Sequence, residues 1–509
     1  MPRCSEVRAA RGLVALAVLA AVCALGSSAD AAGTGWHVQP AARLGAKFGG
    51  EQVAAVNRSG TSVVVFSSAH SVSVIRRTAH GSRFETVGRL SARWPHVVDL
   101  ATLANGRFLL LYTSQRRLVA REMDAAGRFR GAAHVLASRW AIPSSLLFPA
   151  SPSLVVVASD ATRAVVVWGM TSGTTRRVEA AIVGRAGLST SKVLYETQSS
   201  QPGLYRVLAA SDDEDRFLVS LHGANGDTTA RMWGLAGGSQ QWAQVTPPQP
   251  SGRRTIAAEV GATVASVNGS ITAAWQDDSA AVVVSSWNGS TWTTPVKAIA
   301  GPSPGGIPVA IYPVFVSDGS RAALVWSDSS QGLLGPVEAT IRSSPGAGWS
   351  APLTFPHSHS SYWRASLSTI DTFWFTTTGA LAGIWAGDPV INATAGSGPG
   401  VSGLHVGSVG AGGPSDTVLS QTQDGSGGRF WIALARAGDL HTIVWADGDG
   451  KEFSATIAQD GTVGPSQRLH LCGWPITGAS NPDAPARVLI GGGAHLARNR
   501  RACSPVLLW

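Results

Sequence analysis

The sequence predicts an all-β protein: a single β-propeller of four-stranded antiparallel blades, closed by the N-terminal strand joining the last blade. Two observations lead to this fold class. The composition favours strands and turns over helices, and an apolar strand recurs along the chain at intervals of roughly fifty residues. A third observation, the similarity between segments near the two ends of the sequence, indicates how the ring closes.

The composition is typical of strands joined by tight turns. Only 14% of the 509 residues are charged, whereas the chain contains 59 glycines and 18 tryptophans. Lys, Glu and Met, which favour helices, are scarce, while Val, Thr and Trp fit a pleated sheet. No segment after the N-terminal apolar run has a convincing helical period.

The repeat is seen best in an apolar strand that a turn introduces and that an aromatic residue often ends. A continuous apolar run of this length is typical of a strand buried on both faces. Its copies are Val63 to Phe66, Phe108 to Tyr112, Ala164 to Trp168, Phe217 to Val219, Ile271 to Trp275, Ala322 to Trp326, the strands ending at Trp385 and Trp445, and Val488 to Ile490.

Each apolar strand has three companions. An alternating strand such as Val53 to Val56 precedes it, and another such as Val72 to Ile75 follows. A fourth opens on a glycine-rich turn and an aromatic residue, as at Phe84 or Trp292. Four short strands per unit are the pattern of a propeller blade. A string of small β-sandwiches is the rival architecture, but the unit is too short for a sandwich and no linkers separate the copies.

The two ends of the sequence complement each other. Residues 35–40 match the fourth-strand pattern seen at residues 292–295, and the last unit lacks a fourth strand, so we expect the first strand to complete that blade. Cys472 and Cys503 fall in this closing blade, where we expect a disulfide. The count gives nine units, or seven or eight if the irregular region 360–425 is misparsed.

The N-terminal segment predicts export. Basic residues, an apolar run from Leu13 to about Gly26, and the small-residue sequence Ala29-Asp30-Ala31 follow one another in the order of a signal peptide. We therefore divide the chain into a signal peptide, 1–31, and a propeller domain, 32–509. The apolar run is shorter than the roughly 20 residues that span a bilayer. We expect a secreted, extracellular monomer with no membrane span after cleavage.

The charge of the chain indicates only a broad chemical class of partners. The net charge is +9, and Lys supplies four of the 40 basic residues. Because Arg suits bidentate contacts to carboxylates, an anionic extracellular glycan, a cell-wall polymer or a protein is a reasonable partner. A compositional bias of the genome is the alternative explanation. An exported chain without basic runs is not expected to bind nucleic acid.

Carboxylates follow several of the apolar strands, in the turn before the third strand of the unit. They could act as the acid and base of a glycosidase or bind calcium. The alternative is that Asp is present because the turn favours it. Apart from calcium we expect no cofactor and no metal. The candidate residues are Asp277, Asp328, Asp388 and Asp447.

Arginines recur at the opposite end of the same strands and could bind the carboxylates of an acidic glycan. The alternative is that they pair with local acids such as Asp215 or cover apolar edges. The pair His357 and His359 lacks a third ligand nearby in the sequence, so a simple loop is expected there. The candidate ligand-binding arginines are Arg107, Arg163, Arg216 and Arg321.

One outer turn resembles the Asp-box repeats of sialidase-type propellers. Such boxes run S-x-D-x-G-x-T-W; here Ser285, Gly289, Thr291 and Trp292 fit, and Trp287 stands where Asp is expected. The resemblance implies a propeller and export. The three arginines, Tyr–Glu pair and Asp of family sialidases have no matching set in this sequence.

These observations favour a secreted, non-catalytic propeller that binds glycan, cell-wall polymer or protein through one face. A sialidase-like glycoside hydrolase or lyase using the carboxylates of the turns is the first alternative. A structural component of the cell envelope is the second.

Overall fold

The computed structural model shows a chain of antiparallel β-sheets. All of the regular elements among the described residues are strands, and none of these residues forms a helix able to cross a membrane. The structure describes residues 38–40, 52–103, 105–138, 155–159, 163–172, 175–184, 187–198, 206–212, 214–222, 231–248, 263–277, 281–301, 310–328, 336–358, 373–387, 402–422, 431–437, 440–446, 451–469, 475–480, 487–491 and 506–508.

The first three sheets are built from consecutive strands, each paired with the strand that precedes it, except that β12 in sheet 3 pairs with both β13 and β14. Sheet 1 contains β2 (Gln52–Val56), β3 (Ser62–Ser68), β4 (Ser71–Arg77) and β5 (Glu85–Ser91). Sheet 2 contains β6 (His96–Thr102), β7 (Phe108–Ser114), β8 (Arg117–Met123) and β9 (His134–Ala137). Sheet 3 contains β10 (Val155–Ser159), β11 (Ala164–Ser172), β12 (Thr175–Gly184), β13 (Gly187–Leu188) and β14 (Lys192–Gln198).

The next three sheets repeat the same order of four strands. Sheet 4 contains β15 (Arg206–Ser211), β16 (Phe217–His222), β17 (Arg231–Leu235) and β18 (Trp242–Val245). Sheet 5 contains β19 (Thr263–Val267), β20 (Ser270–Gln276), β21 (Val282–Trp287) and β22 (Val296–Ile299). Sheet 6 contains β23 (Ala310–Ser317), β24 (Ala322–Asp328), β25 (Val337–Arg342) and β26 (Leu353–Thr354).

Of the last three sheets, two keep this order, and the third combines strands from both ends of the sequence. Sheet 7 contains β27 (Phe373–Phe375), β28 (Leu381–Gly387), β29 (Ser402–Val409) and β30 (Ser415–Thr422). Sheet 8 contains β31 (Trp431–Ala437), β32 (Leu440–Ala446), β33 (Glu452–Ala458) and β34 (Gln467–Leu469). Sheet 9 contains β35 (Pro475–Ser480), β36 (Arg487–Gly491), β37 (Val506–Leu508) and β1 (Val38–Pro40).

The hydrophobic core lies between successive sheets. In β11, for example, Ala164, Val166 and Trp168 pack against sheet 2, whereas Val165 and Val167 pack against sheet 4. Side chains of a strand alternate between its two faces, so a strand that lies between two other sheets must be apolar at every position. This explains the continuous apolar strand of the repeat, which is the second strand of each sheet.

The pairing of the N-terminal strand with the C-terminal sheet, expected from the sequence, is present. Strand β1 runs antiparallel to β37, with Val38 opposite Leu508. The side chain of Gln39 also holds sheet 1, because its Nε2 donates to the carbonyl of Phe84 at 3.1 Å and its Oε1 accepts the Phe84 N–H at 2.8 Å. Sheet 9 is thereby joined to both ends of the described chain.

Two details of the repeat differ from the sequence prediction. Trp242 opens a fourth strand, β18, as expected, whereas Trp292 lies in the turn before β22 and packs edge-on against Trp275 at 5.8 Å. The half-buried ring of Trp292 packs against the core shared by sheets 4 and 5, which accounts for its place in the turn. The region thought irregular contributes the four paired strands of sheet 7, so the described residues form nine sheets.

Other sequence predictions concern residues outside the described ranges. The signal peptide, Trp36, Cys472 and Cys503 all lie there. Export and the disulfide therefore stay predictions.

Asn57 joins sheet 1 to sheet 2 and allows a direct test of this packing. It is fully buried, and its Nδ2 donates to the carbonyls of Gly106 at 2.8 Å and Ala125 at 3.2 Å. Its Oδ1 accepts the N–H of Thr61 at 3.0 Å. Because Asn57→Ala leaves the buried Thr61 N–H and two partly buried carbonyls without these partners, we expect it to lower the free energy of unfolding by about 2 kcal/mol.

Urea titration of the full chain measures this loss. Asn105→Ala is the matched control, because Asn105 occupies the corresponding turn of sheet 2, is exposed, and accepts one N–H, that of Arg107. We expect its cost to stay within about 0.5 kcal/mol. Equal losses in the two variants would contradict the role assigned to Asn57.

Candidate functional site

The two ends of each sheet carry different candidate residues. The turn between the second and third strands and the connection to the next sheet share one end, since four antiparallel strands reverse direction at every turn. We call this the aspartate end, because the predicted carboxylates follow the second strand. The turn between the first and second strands lies at the other, arginine end.

The carboxylates predicted at the aspartate end are only partly described. Asp277 is buried, and its Oδ1 accepts the N–H of Ala281 at 3.1 Å, which closes the turn between β20 and β21. This is the turn-forming role considered as the alternative in the sequence analysis. Asp328 is the last residue of β24. Asp388 and Asp447 lie outside the described residues.

Three of the predicted arginines pair with acids of their own sheet. Arg107 Nη1 lies 2.7 Å from Glu122 Oε2. Arg216 Nε lies 2.6 Å from Asp212 Oδ2, and its Nη1 donates to the carbonyl of Asn288 in sheet 5 at 2.7 Å. The third, Arg321, pairs with Asp318 and lies with its guanidinium carbon 4.9 Å from the ring centre of Phe375 in sheet 7.

Arg163 makes the most extensive contacts of the four. Its Nε lies 2.7 Å from Asp215 Oδ2, and its Nη1 and Nη2 donate to the carbonyls of Ser239 and Asp215, respectively. Both acceptor residues belong to turns of sheet 4, the next sheet along the chain. Arg163, Arg216 and Arg321 thus tie neighbouring sheets together, and a direct role of any of the four in ligand binding stays a prediction.

A more accessible group of side chains lies at the aspartate end, between sheets 1 and 2. Its centre is Trp94, in the connection from β5 to β6, with 63% of its surface exposed. The ring of His70 lies beside it, with centroids 6.0 Å apart. Arg93, Gln115 and Arg116 are the exposed neighbours along the backbone. We call His70, Arg93, Trp94, Gln115 and Arg116 the Trp94 platform.

The backbone holds the platform in a costly conformation. Trp94 has a φ of 50°, in the left-handed region, and precedes Pro95, which further disfavours compact helical geometry at the residue before it. Strain of this kind costs on the order of 1–3 kcal/mol. Two hydrogen bonds keep the connection in place: Trp94 N–H to the carbonyl of Ala69 at 2.9 Å, and Gln115 N–H to that of Arg93 at 3.3 Å.

The platform is positively charged. The adjacent hairpin turn of Gln115 and Arg116, with φ of 52° and 62°, carries a second arginine, and Arg117 follows at the start of β8. All three arginines are exposed, and none forms an ion pair with another residue that the structure describes. An exposed indole and exposed arginines carried by the same connection and the adjacent turn could contact an apolar ring face and an anion.

Sequence reasoning missed this group of residues. The repeat directed attention to residues on the second strands, whereas Trp94 lies in a connection between units. The dipeptide Trp94-Pro95 in a polar connection was the available signal, because a large aromatic residue in such a connection has no core position assigned by the repeat.

A second set of side chains could hold a metal ion. His357, His405 and Asp416 offer ligand atoms that lie within 4.8 Å of one another. The sequence placed His357 in a simple loop because no third ligand was near, and His359 lies outside the described residues. Residues from β29 and β30 supply the missing partners, at sequence separations that no short motif reveals.

Comparisons with known proteins assign no family. No protein-family model matches the chain, and no curated protein sequence matches it. The BP39L lectin from Burkholderia pseudomallei is 11% identical over 82% of this chain and 98% of the lectin, with a TM-score of 0.38. The six-bladed propeller lectin of Aleuria aurantia, which recognises fucose, is 13% identical over 59% of this chain and 92% of its own, with a TM-score of 0.29.

A prolyl endopeptidase structure is 10% identical over 78% of this chain, with a TM-score of 0.39. The chain spans 54% of the length of that enzyme. TM-scores and identities of this size assign neither a family nor a function to this chain.

Proposed function

We propose that this protein is a secreted, non-catalytic β-propeller that binds a glycan through the Trp94 platform. The observation that carries the proposal is Trp94 itself, an indole that is 63% exposed and held in a left-handed conformation before a proline. Backbone strain of this kind clusters at ligand-binding sites, and here it coincides with an exposed aromatic ring and exposed arginines.

Contacts between sheets support the closed ring. In sheets 1 to 6, the first strand of each sheet contacts the first strand of the following sheet. The series begins with β2 and β6 and ends with β23 and β27. Sheet 7 packs on sheet 8 through a shared core, and β35 of sheet 9 contacts both β31 and β2. A ring of nine blades is an arrangement that accommodates all of these contacts, and we propose that it acts as a monomer.

Export is part of the same proposal and rests on the sequence. The basic, apolar and small-residue segments at the start of the chain have the order of a signal peptide. An extracellular location would bring the platform into contact with surface glycans and cell-wall polymers.

The chemistry of the platform indicates an acidic glycan. The negative face of an indole attracts the weakly positive C–H groups on one side of a sugar ring. Guanidinium groups of Arg93 and Arg116 would pair with a carboxylate, and the Gln115 amide would exchange hydrogen bonds with hydroxyls. A sugar carrying a carboxylate uses both features, so uronic-acid polymers are the class of ligand that fits best.

A panel of immobilised acidic and neutral polysaccharides tests the proposal. We expect the full chain to bind acidic members with salt-sensitive affinity, and Trp94→Ala to weaken binding about fivefold or more, since one aromatic contact is worth about 1 kcal/mol. Trp94→Phe should retain part of the affinity because it keeps an aromatic face. Val296→Ala, at a side chain that is 51% exposed in sheet 5, is the control.

Two results would refute the proposal: absence of binding to every polysaccharide of the panel, or unchanged affinity in Trp94→Ala. Arg116→Gln separates the two contributions. It should reduce binding to acidic polysaccharides and its dependence on salt while leaving the stability of the protein unchanged.

The sialidase-like alternative lacks an observation in its favour among the described residues. Asp277 is committed to its turn, and the arginines of the other end are paired. A glycoside hydrolase or lyase, and a structural envelope component, stay predictions from the sequence. Hydrolysis of aryl glycosides by the purified chain, lost in a variant of Asp277 or Asp328, would establish the first of them.

A further inference from the structure

Two histidines and one aspartate meet between the outer strands of sheets 6 and 7. His357 Nδ1 lies 2.7 Å from Asp416 Oδ2, and His405 Nδ1 lies 2.9 Å from Asp416 Oδ1. The three ligand atoms are all within 4.8 Å of one another. This cluster is far along the chain from the Trp94 platform and shares no residue with it.

The position of His405 is fixed from three sides. Its ring stacks on Trp385, directly opposite on β28, with centroids 5.9 Å apart and planes at 9°. On the other side, a Cβ added at Gly403 would lie 2.4 Å from His405 Nε2, so glycine leaves the space that the ring occupies. With Nε2 against Gly403, the ring can offer only Nδ1 to Asp416 on β30.

His357 comes from the neighbouring sheet. It lies just after β26, has a φ of 52°, and exposes 69% of its side chain. The next residue anchors the loop, because Ser358 Oγ donates to the carbonyl of Phe355 at 2.6 Å and accepts the N–H of Val337 at 3.0 Å. A strained backbone held by buried hydrogen bonds thus brings the imidazole of His357 to the carboxylate of Asp416.

We propose that His357, His405 and Asp416 form a binding site for a divalent transition ion, with Zn²⁺ as the best fit. Imidazole nitrogens and a carboxylate oxygen are the usual ligands of zinc, whereas calcium takes oxygen ligands. Ligands at 2.0–2.1 Å in a tetrahedron lie about 3.3 Å apart, so the Nδ1–Oδ distances would open by about half an ångström, and ligand atoms as far apart as 4.8 Å would close by about 1.5 Å.

The chain supplies three ligands, and the solvent-exposed side at His357 leaves the fourth position to water. Such an ion would join the loop after β26 to β29 and β30, and so would tie sheet 6 to sheet 7. Binding to the folded chain alone would stabilise it. Without metal, the Asp416 carboxylate accepts hydrogen bonds from the two imidazoles. A cluster held only by these hydrogen bonds would not respond to added zinc, whereas a zinc site would bind the ion and gain stability.

Titration of the chelator-treated full chain with Zn²⁺ tests the site. We expect one equivalent of zinc to bind with micromolar or better affinity, and at one hundred times the Kd to raise the unfolding temperature by about 3 °C. Co²⁺ in place of zinc should give the visible absorption of a four-coordinate ion. Failure to bind zinc, or binding without a change in unfolding temperature, would refute the proposal.

Variants locate the bound ion. His357→Asn is the most informative, because Asn tolerates the left-handed conformation and the exposed side chain of His357 is not part of the core. It and Asp416→Asn should each weaken zinc binding at least about tenfold and remove the thermal shift. His134→Gln, at an exposed histidine in β9, is the control. Unchanged zinc affinity in His357→Asn and Asp416→Asn would show that zinc binds elsewhere and would overturn the assignment.

Discussion

Lowering the pH from 7 to 4 should reduce the free energy of unfolding by about 3 kcal/mol through a single side chain, His441. This residue lies at the start of the buried strand β32, with only 2% of its surface exposed. Its ring stacks on Trp374 of sheet 7, with centroids 4.1 Å apart. The imidazole is therefore part of the contact between sheets 7 and 8.

The environment of His441 disfavours its protonated form. The pKa of the imidazole falls from 6.5 to about 4, chiefly because the ring is buried and secondarily because of the charge of Arg436, while the nearby side chain of Gln459 opposes the shift. Above pH 6.5 the ring is neutral in both the folded and the unfolded chain. Below pH 6.5 only the unfolded chain takes up the proton, so stability falls until the pH reaches about 4.

Urea titrations at several pH values between 7 and 4 measure the loss. In His441→Phe, which keeps a ring on Trp374 but cannot titrate, we expect this part of the pH dependence to disappear. His441→Gln serves as a second non-titrating variant in case phenylalanine packs poorly. His134→Gln, which replaces an exposed histidine in β9, is the control for the substitution itself. An identical acid response in the parent and in both His441 variants would contradict the prediction.

Arg163→Met is expected to lower the free energy of unfolding by about 3 to 4 kcal/mol. The guanidinium side chain is 9% exposed, and it joins sheet 3 to sheet 4 through Asp215 and the carbonyl of Ser239. Its removal takes the guanidinium away from a carboxylate that is 26% exposed and from two partly buried carbonyls. Methionine replaces most of the apolar stem, so the loss reports the polar contacts.

Arg177→Met provides the matched comparison. Arg177 pairs with Glu196 at 2.6 Å, but the two side chains are 43% and 40% exposed and both lie within sheet 3. An exposed pair of this kind contributes about 0 to 1 kcal/mol. Urea titration of both variants tests this prediction. Similar small losses of unfolding free energy in the two variants would mean that Arg163 contributes no more than an exposed surface residue.

Arg163 and Arg177 show which properties of an arginine the sequence pattern predicts and which it does not. The recurrence of Arg before the second strand indicates that these arginines share one end of their sheets, because antiparallel pairing places equivalent turns at equivalent ends. It did not reveal that Arg163 reaches across to Asp215 in the following sheet. Contacts between sheets depend on the twist and separation of the strands, which the repeat leaves open.

The sequence predicts which segments form strands and which of those strands are buried on both faces. A strand packed between two sheets must be apolar on both faces, so the second strands are visible as continuous apolar runs, and the pairing of residues 38–40 with the C-terminal sheet follows from a matching motif. The tertiary structure alone decided the candidate sites. Trp94, Gln115 and Ala69 meet because two hairpins and a connection converge at one end of sheets 1 and 2. His357 meets His405 and Asp416 because neighbouring sheets pack together, and no local pattern encodes that distance.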